Sequence, residues 1–75
     1  MTTNNEAILN QPIQQLNFSK EFKSITEIIG FNTLSDLLQH STTELEGLPD
    51  FTILLIHEYV SFMEEQGLGQ YIDPV

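Results

Sequence analysis

The absence of cysteine means that neither disulfides nor thiolate metal ligands can hold this chain together. Its 75 residues predict one small domain at most. A chain of this length buries only about 60% of the surface that its unfolded form exposes. The fold must therefore depend on apolar packing, and little room is left for a substrate cavity.

Membrane and secretion signals are absent from the sequence pattern. The longest uncharged apolar run, residues 51–56, is far shorter than the roughly 20 residues that cross a bilayer. The first residues have neither the basic stretch nor the apolar stretch of a secretory signal peptide. We therefore expect a cytoplasmic protein with no membrane partner.

Negative charge dominates the composition. Eleven acidic residues against two lysines and no arginine give a net charge of −9, and residues 41–75 contain seven acids without a lysine or arginine. DNA binding gains much of its free energy when Lys and Arg replace counterions on the phosphates. The charge therefore argues against nucleic acids and anionic membrane surfaces as partners.

The first helix is predicted by spacing and by its end signals. Four apolar residues follow Phe18 at helical spacing: Phe22, Ile25, Ile28 and Ile29. They predict a helix over residues 19–29. Ser19 is suited to cap it, because its hydroxyl can accept a hydrogen bond from an amide of the first turn. Gly30 follows where a left-handed residue commonly ends a helix.

Two short helices are predicted from capping boxes. Thr33 and Asp36 resemble a box that opens a second helix, and Ser41 with Glu44 forms a box that opens a third. Gly47 stops the third helix. Both helices are barely two turns long, so they depend on packing for their stability.

The fourth helix is the longest. It is predicted to start near Asp50, to run through Glu65 or Gln66 and to end at Gly67, with Leu68 folding back as a hydrophobic cap. Since no segment alternates with a period of two, the predicted class is all-α, with four helices, or five if the tail forms a short turn.

Three parts of the chain are predicted: a flexible leader over residues 1–12, a helical domain over 13–68 and a tail over 69–75. The helical periods direct eight apolar side chains into the core: Phe22, Ile25, Leu37, Leu45, Leu48, Ile56, Tyr59 and Met63.

Residues 16–68 carry a family resemblance without a gap. The matching segments are Leu-Asn-Phe-Ser at 16–19, Gly-Phe-Asn-Thr-Leu-Ser-Asp-Leu-Leu at 30–38, Ser-Thr-Thr-Glu-Leu at 41–45, Leu-Pro-Asp-Phe at 48–51 and Gly-Leu at 67–68. In these segments the chain resembles the C-terminal domain of the bacterial RNA polymerase alpha subunit. The resemblance implies a compact four-helix domain with a helix-hairpin-helix-like element.

The positions at which that family contacts DNA are altered. The family has a Gly, two Lys and a Ser after the hairpin, where this chain has Thr52, Ile53, Leu54 and Leu55. The family's minor-groove arginine and nearby asparagine fall on Glu21 and Ser24. The resemblance therefore implies the fold, whereas the residues argue against the DNA-binding role.

An apolar ridge takes the place of the phosphate contacts. The period of the fourth helix puts Leu54 in the middle of a charged face, with Ile53 and Val60 at its border. Apolar patches with polar rims often mark protein contacts. The alternative is that Leu54 packs on the tail residues Tyr71 and Ile72.

Catalytic chemistry finds little support. His40 and His57 are 17 residues apart on different predicted helices, without the i, i+4 spacing that places two imidazoles on one metal. No acid pair shares a predicted pocket, and the glycines are too scattered for a phosphate loop. We predict a non-enzymatic protein without catalytic residues, metal, cofactor or small-molecule substrate.

Three functions remain open. The first is a protein-interaction module that binds a protein partner or, most simply, a second copy of itself. The second is an acidic, transcription-associated adaptor or DNA-mimicking decoy for a basic partner. The third is residual DNA binding through Lys20, Lys23 and the amides that begin the first helix.

Overall fold

The structure is a computed structural model that describes the backbone of residues 4–72 and the side chains of residues 7–72. These residues form four α-helices: α1 (Lys20–Ile29), α2 (Leu34–Leu38), α3 (Thr42–Glu46) and α4 (Ile53–Glu65). They also form three 3₁₀ helices, at Asn4–Asn10, Ile13–Gln15 and Gly69–Tyr71. The predicted all-α class is confirmed.

Two compact units make up the chain: unit 1 is Met1–Gln39 and unit 2 is His40–Val75. The division therefore falls between α2 and α3, within the helical domain predicted over residues 13–68. None of the helices formed by the described residues has the length and hydropathy needed to cross a bilayer.

Residues 4–12 of the predicted leader make contacts within unit 1. Asn4–Asn10 is a 3₁₀ helix that packs on α2, and the Ser35 hydroxyl donates a 2.9 Å hydrogen bond to the Leu9 carbonyl. Ile13 is fully buried, and its amide donates to the Asn32 carbonyl at 2.8 Å. These contacts hold residues 4–12 within unit 1. Residues 1–3 of the predicted leader, and 73–75 of the predicted tail, lie outside the described residues.

Both ends of α1 are as predicted. The Ser19 hydroxyl accepts a 3.1 Å hydrogen bond from the Phe22 amide at the N-terminus. Gly30 has a left-handed φ of 104°, and its amide donates to the Thr26 carbonyl. A residue with a Cβ would be strained in that conformation.

Packing of α1 centres on its first turns. The ring of Phe22 is fully buried and stacks on Phe18 with 4.1 Å between the centroids. Thr26 is also fully buried, and its hydroxyl donates to the Phe22 carbonyl at 2.9 Å. Ile25 is half-buried, whereas Ile28 is 73% exposed. The apolar spacing thus predicted the helix, but not every residue on its buried face.

Both predicted capping boxes are confirmed. In α2, the Thr33 hydroxyl accepts from the Asp36 amide, and the Asp36 carboxylate accepts from the Thr33 amide. In α3, Ser41 and Glu44 make the same reciprocal pair. Each box satisfies amides that have no partner within the helix.

The Asp36 carboxylate links the stability of unit 1 to pH. The backbone amides of Asn32 and Thr33 donate to it at 2.8 and 3.1 Å, and they lower its pKa from the ordinary 3.8. Since the folded pKa is the lower one, the stabilisation is present above pH 3.8 and is lost as pH falls through the folded value.

Asp36→Asn should therefore lower the free energy of unfolding near neutral pH, because the neutral amide accepts these bonds more weakly. The difference from wild type should shrink as pH falls below 3.8, as chemical denaturation across a pH series would measure. Glu27→Gln, at an exposed carboxylate outside the boxes, is the control. A difference independent of pH would contradict this account.

The N-terminus of α4 lies later than predicted. The helix begins at Ile53, because the Thr52 hydroxyl accepts from the Leu55 amide and so acts as the N-cap. Before it, Phe51 is buried and its amide donates to the Leu48 carbonyl. This turn occupies the residues predicted as the first helical turn.

The end of α4 matches the prediction. Gly67 has a left-handed φ of 75°, and the Leu68 amide donates to the Met63 carbonyl at 2.8 Å. Leu68 is buried, as expected of the hydrophobic contact in this cap. The 3₁₀ helix Gly69–Tyr71 follows and packs on α4.

Six of the eight predicted core residues are buried: Phe22, Leu37, Leu45, Ile56, Tyr59 and Met63. Ile25 and Leu48 are only half-buried. Seven further apolar residues are buried: Ile13, Leu16, Phe18, Leu34, Phe51, Leu55 and Leu68. Most of these lie beside helix ends or in connections, where helical spacing gives no signal.

Candidate protein-interaction surface

The first turn of α4 exposes two large aliphatic side chains. Ile53 is 55% exposed and Leu54 is 76% exposed, whereas the next two residues, Leu55 and Ile56, are buried. Because so much of Leu54 is accessible, the tail covers little of it. This exposure argues against the alternative that Leu54 packs on the tail residues Tyr71 and Ile72.

An open groove lies in unit 2 between α3 and α4. Its volume is about 340 Å³. Ile53, Ile56 and Val60 form its apolar part, and their i, i+3, i+7 spacing puts them on one face of α4. Ile56 is almost fully buried and forms the floor, while Ile53 and Val60 remain accessible.

Polar groups complete the lining of the groove. Thr42 and Glu46 come from α3, and His57 and Ser61 come from α4. Leu45 positions α3, since it is the buried residue of that helix and lies between Thr42 and Glu46 in the sequence. The Ser41 capping box fixes where this helix begins.

The predicted ridge of Ile53, Leu54 and Val60 is divided by the helix geometry. Ile53 and Val60 line the groove, but Leu54 does not. Consecutive helical residues differ by about 100° in direction, so Leu54 faces away from its neighbour. Sequence reasoning identified the exposed residues but missed the groove, because the contribution of α3 depends on tertiary packing.

The four positions that the resemblance aligns with the family's hairpin contacts have separate structural roles. Thr52 caps α4, Leu55 is buried, and Ile53 and Leu54 are exposed. Glu21 and Ser24, the two altered positions of the first helix, are both exposed on α1 in unit 1.

The two units differ in the charged residues that they contain. Residues 40–75 contain seven acids and neither Lys nor Arg, and Glu46 places one of these carboxylates in the groove. Lys20 and Lys23, the two lysines of the chain, are both on α1 beside Glu21. The groove therefore lies in a unit of uniformly negative sign.

The part of the chain that the structure describes contains no group of three or more His, Cys, Asp or Glu placed to hold a metal ion. His57 lines the groove, and His40 is exposed outside it. The lining of the groove thus combines apolar side chains with hydroxyls, an imidazole and one carboxylate.

Comparisons of the chain with protein-family models, with curated proteins and with solved structures find no match. The resemblance to the polymerase alpha C-terminal domain therefore depends on the sequence segments alone.

Proposed function

We propose that this chain is a non-enzymatic protein-interaction module on a helical scaffold like the polymerase alpha C-terminal domain, from which DNA binding has been lost. The exposure of Ile53 and Leu54 at the start of α4 carries the proposal. The resembled family has two lysines at these positions. Aliphatic side chains there support contact with protein rather than with phosphate.

The free energy of burying Ile53 and Leu54 favours a contact that covers them. A helix N-terminus gains nothing intrinsic from exposed aliphatic residues compared with polar ones. Burying Ile53 and Leu54 in a contact could contribute about 1.5–3 kcal/mol each. A micromolar complex needs about 8 kcal/mol, so these two residues would supply a substantial share.

Several features argue against retained DNA binding. At the start of α4, the Thr52 hydroxyl already accepts from the Leu55 amide, and no lysine or arginine is present in residues 40–75. On α1, Glu21 stands beside the two lysines. The net charge of −9 would repel a duplex at low salt, where electrostatic binding is strongest.

The runner-up is an acidic adaptor or DNA-mimicking decoy for a basic partner. The uniformly acidic sequence of unit 2 favours it. Salt distinguishes the two functions, since a contact made mainly by charge is lost at high salt, whereas apolar contact persists.

Affinity capture tests the proposal. The immobilised chain is exposed to a lysate of its source cells, and wild type is compared with Ile53→Lys combined with Leu54→Lys. We expect the double variant to lose the captured partner, because two apolar contacts become charged. It should keep its helical circular dichroism, since both residues are exposed.

Ile28→Lys is the matched control, because Ile28 is a large aliphatic residue on α1 that is 73% exposed, close to the 76% of Leu54. Sedimentation over a concentration series would show whether the partner is a second copy. Capture that is unchanged in the double variant, or lost equally in the control, would contradict the proposed surface.

A further inference from the structure

We propose that the α3–α4 groove binds an amphipathic helix of another protein that carries Lys or Arg beside its apolar residues. This inference rests on the proposed function, specifies the partner and narrows the contact in the groove to Ile53, because Leu54 lies outside the groove. Its basis is the combination of an open apolar groove with a carboxylate in its wall, inside a unit without lysine or arginine.

The form of the groove favours a helix. An extended peptide that adds to a sheet needs an open strand edge, and the described residues contain only one isolated bridge, in unit 1. Polyproline segments use grooves lined by aromatic rings, whereas the apolar lining here is Ile53, Ile56 and Val60. An amphipathic helix needs only an apolar trough, which this groove supplies.

The length of the groove matches two turns of a helix. Ile53 and Val60 are seven residues apart on α4, which corresponds to about 10 Å along its axis. Ile56 lies between them as the floor. A partner helix with apolar residues at i, i+3 or i+4, and i+7 would present anchors over the same distance.

The carboxylates beside the groove favour a partner that is positively charged. Glu46 lies in the groove wall, and Glu64 is four residues beyond Val60 on α4, exposed next to the groove-lining face. A helix with Lys or Arg beside its apolar residues would meet both carboxylates. A second copy is disfavoured, because each chain carries a net charge of −9.

A peptide probe tests the inference. The probe is a fluorescent synthetic helix of about 15 residues with leucines on one face and lysines on its flanks, titrated against the full chain. We expect binding that weakens with salt but persists at high salt, because the apolar contact remains. Replacing the leucines with serine, or the lysines with glutamate, should weaken it by about tenfold or more.

Ile53→Ser and Leu54→Ser form a matched pair, because the residues are adjacent and exposed but only Ile53 lines the groove. Ile53→Ser should weaken peptide binding by about tenfold, and Leu54→Ser by less than about twofold. Glu46→Lys is a second groove variant at an exposed residue and should weaken binding similarly. Circular dichroism checks that each variant is folded.

Equal losses for Ile53→Ser and Leu54→Ser would overturn the groove as the site while leaving the proposed interaction surface intact. Equal binding of the lysine and glutamate peptides would overturn the prediction that the partner is basic. No binding at all would overturn the inference, as would a wild-type dimer that the peptide does not dissociate. In each case lysate capture would still test the proposed function separately.

Discussion

Replacing Phe22 with alanine is expected to lower the free energy of unfolding by about 3–5 kcal/mol. The ring is fully buried and stacked on Phe18, and Phe22 is the buried apolar residue of α1. Alanine would leave a cavity and remove the stacking partner. A chain of this size has about 5 kcal/mol of stability in total, so the variant should be largely unfolded.

Thermal or urea unfolding followed by circular dichroism would measure this loss. Ile28→Ala is the control on the same helix, since Ile28 is 73% exposed and its truncation removes little buried area. If Phe22→Ala unfolded at the same denaturant concentration as wild type, the packing assigned to α1 would be wrong.

Leu45→Ala is expected to cost about 2–5 kcal/mol and to disrupt one wall of the groove. Leu45 is fully buried and is the buried residue of α3, a helix of five residues that cannot persist without tertiary packing. Its truncation should therefore release Thr42 and Glu46 from the groove and weaken partner binding along with stability.

Unfolding curves would give the stability change, and titration of the lysine–leucine peptide would give the change in binding. Leu54→Ala is the control, because Leu54 lies outside the groove and is mostly exposed. Full stability together with undiminished binding in Leu45→Ala would contradict the packing of α3 on α4.

Helix ends were the most predictable part of the fold. Ser19, Thr33 and Ser41 cap their helices through hydrogen bonds to residues three positions away, so a short stretch of sequence contains both partners. Gly30 and Gly67 were predictable for the same reason, since a left-handed residue that ends a helix is a local feature.

Packing between distant segments was not predictable in the same way. The Ser35 bond to the Leu9 carbonyl spans 26 residues, and no local pattern indicates that the predicted leader would meet α2. The helix α4 begins at Ile53 and not near Asp50, because Thr52 provides its N-cap. For Ile53 and Leu54, the sequence predicted that the side chains are exposed, but it did not predict the groove beside them.

The candidate surface is the clearest case in which packing between helices could not be predicted from the sequence. Periodicity placed Ile53, Leu54 and Val60 near one another, and the exposure of the first two agrees with that placement. Helix geometry turns Leu54 away from Ile53, and the packing of α3 on α4 forms the groove that Ile53 and Val60 line. The position of Glu46 in the groove was not predicted, because nothing in its local pattern indicates that α3 brings it beside α4.

Hydrogen–deuterium exchange of the chain, with and without its captured partner, tests the interaction surface most directly. We predict slower exchange in α3 and in the first two turns of α4, with little change in α1. The amide of Leu55 donates to the Thr52 hydroxyl, which belongs to an exposed residue, so a partner that covers the start of α4 should slow exchange there. Protection confined to α1, around Lys20 and Lys23, would contradict the assignment of Ile53 and Leu54 as the contact.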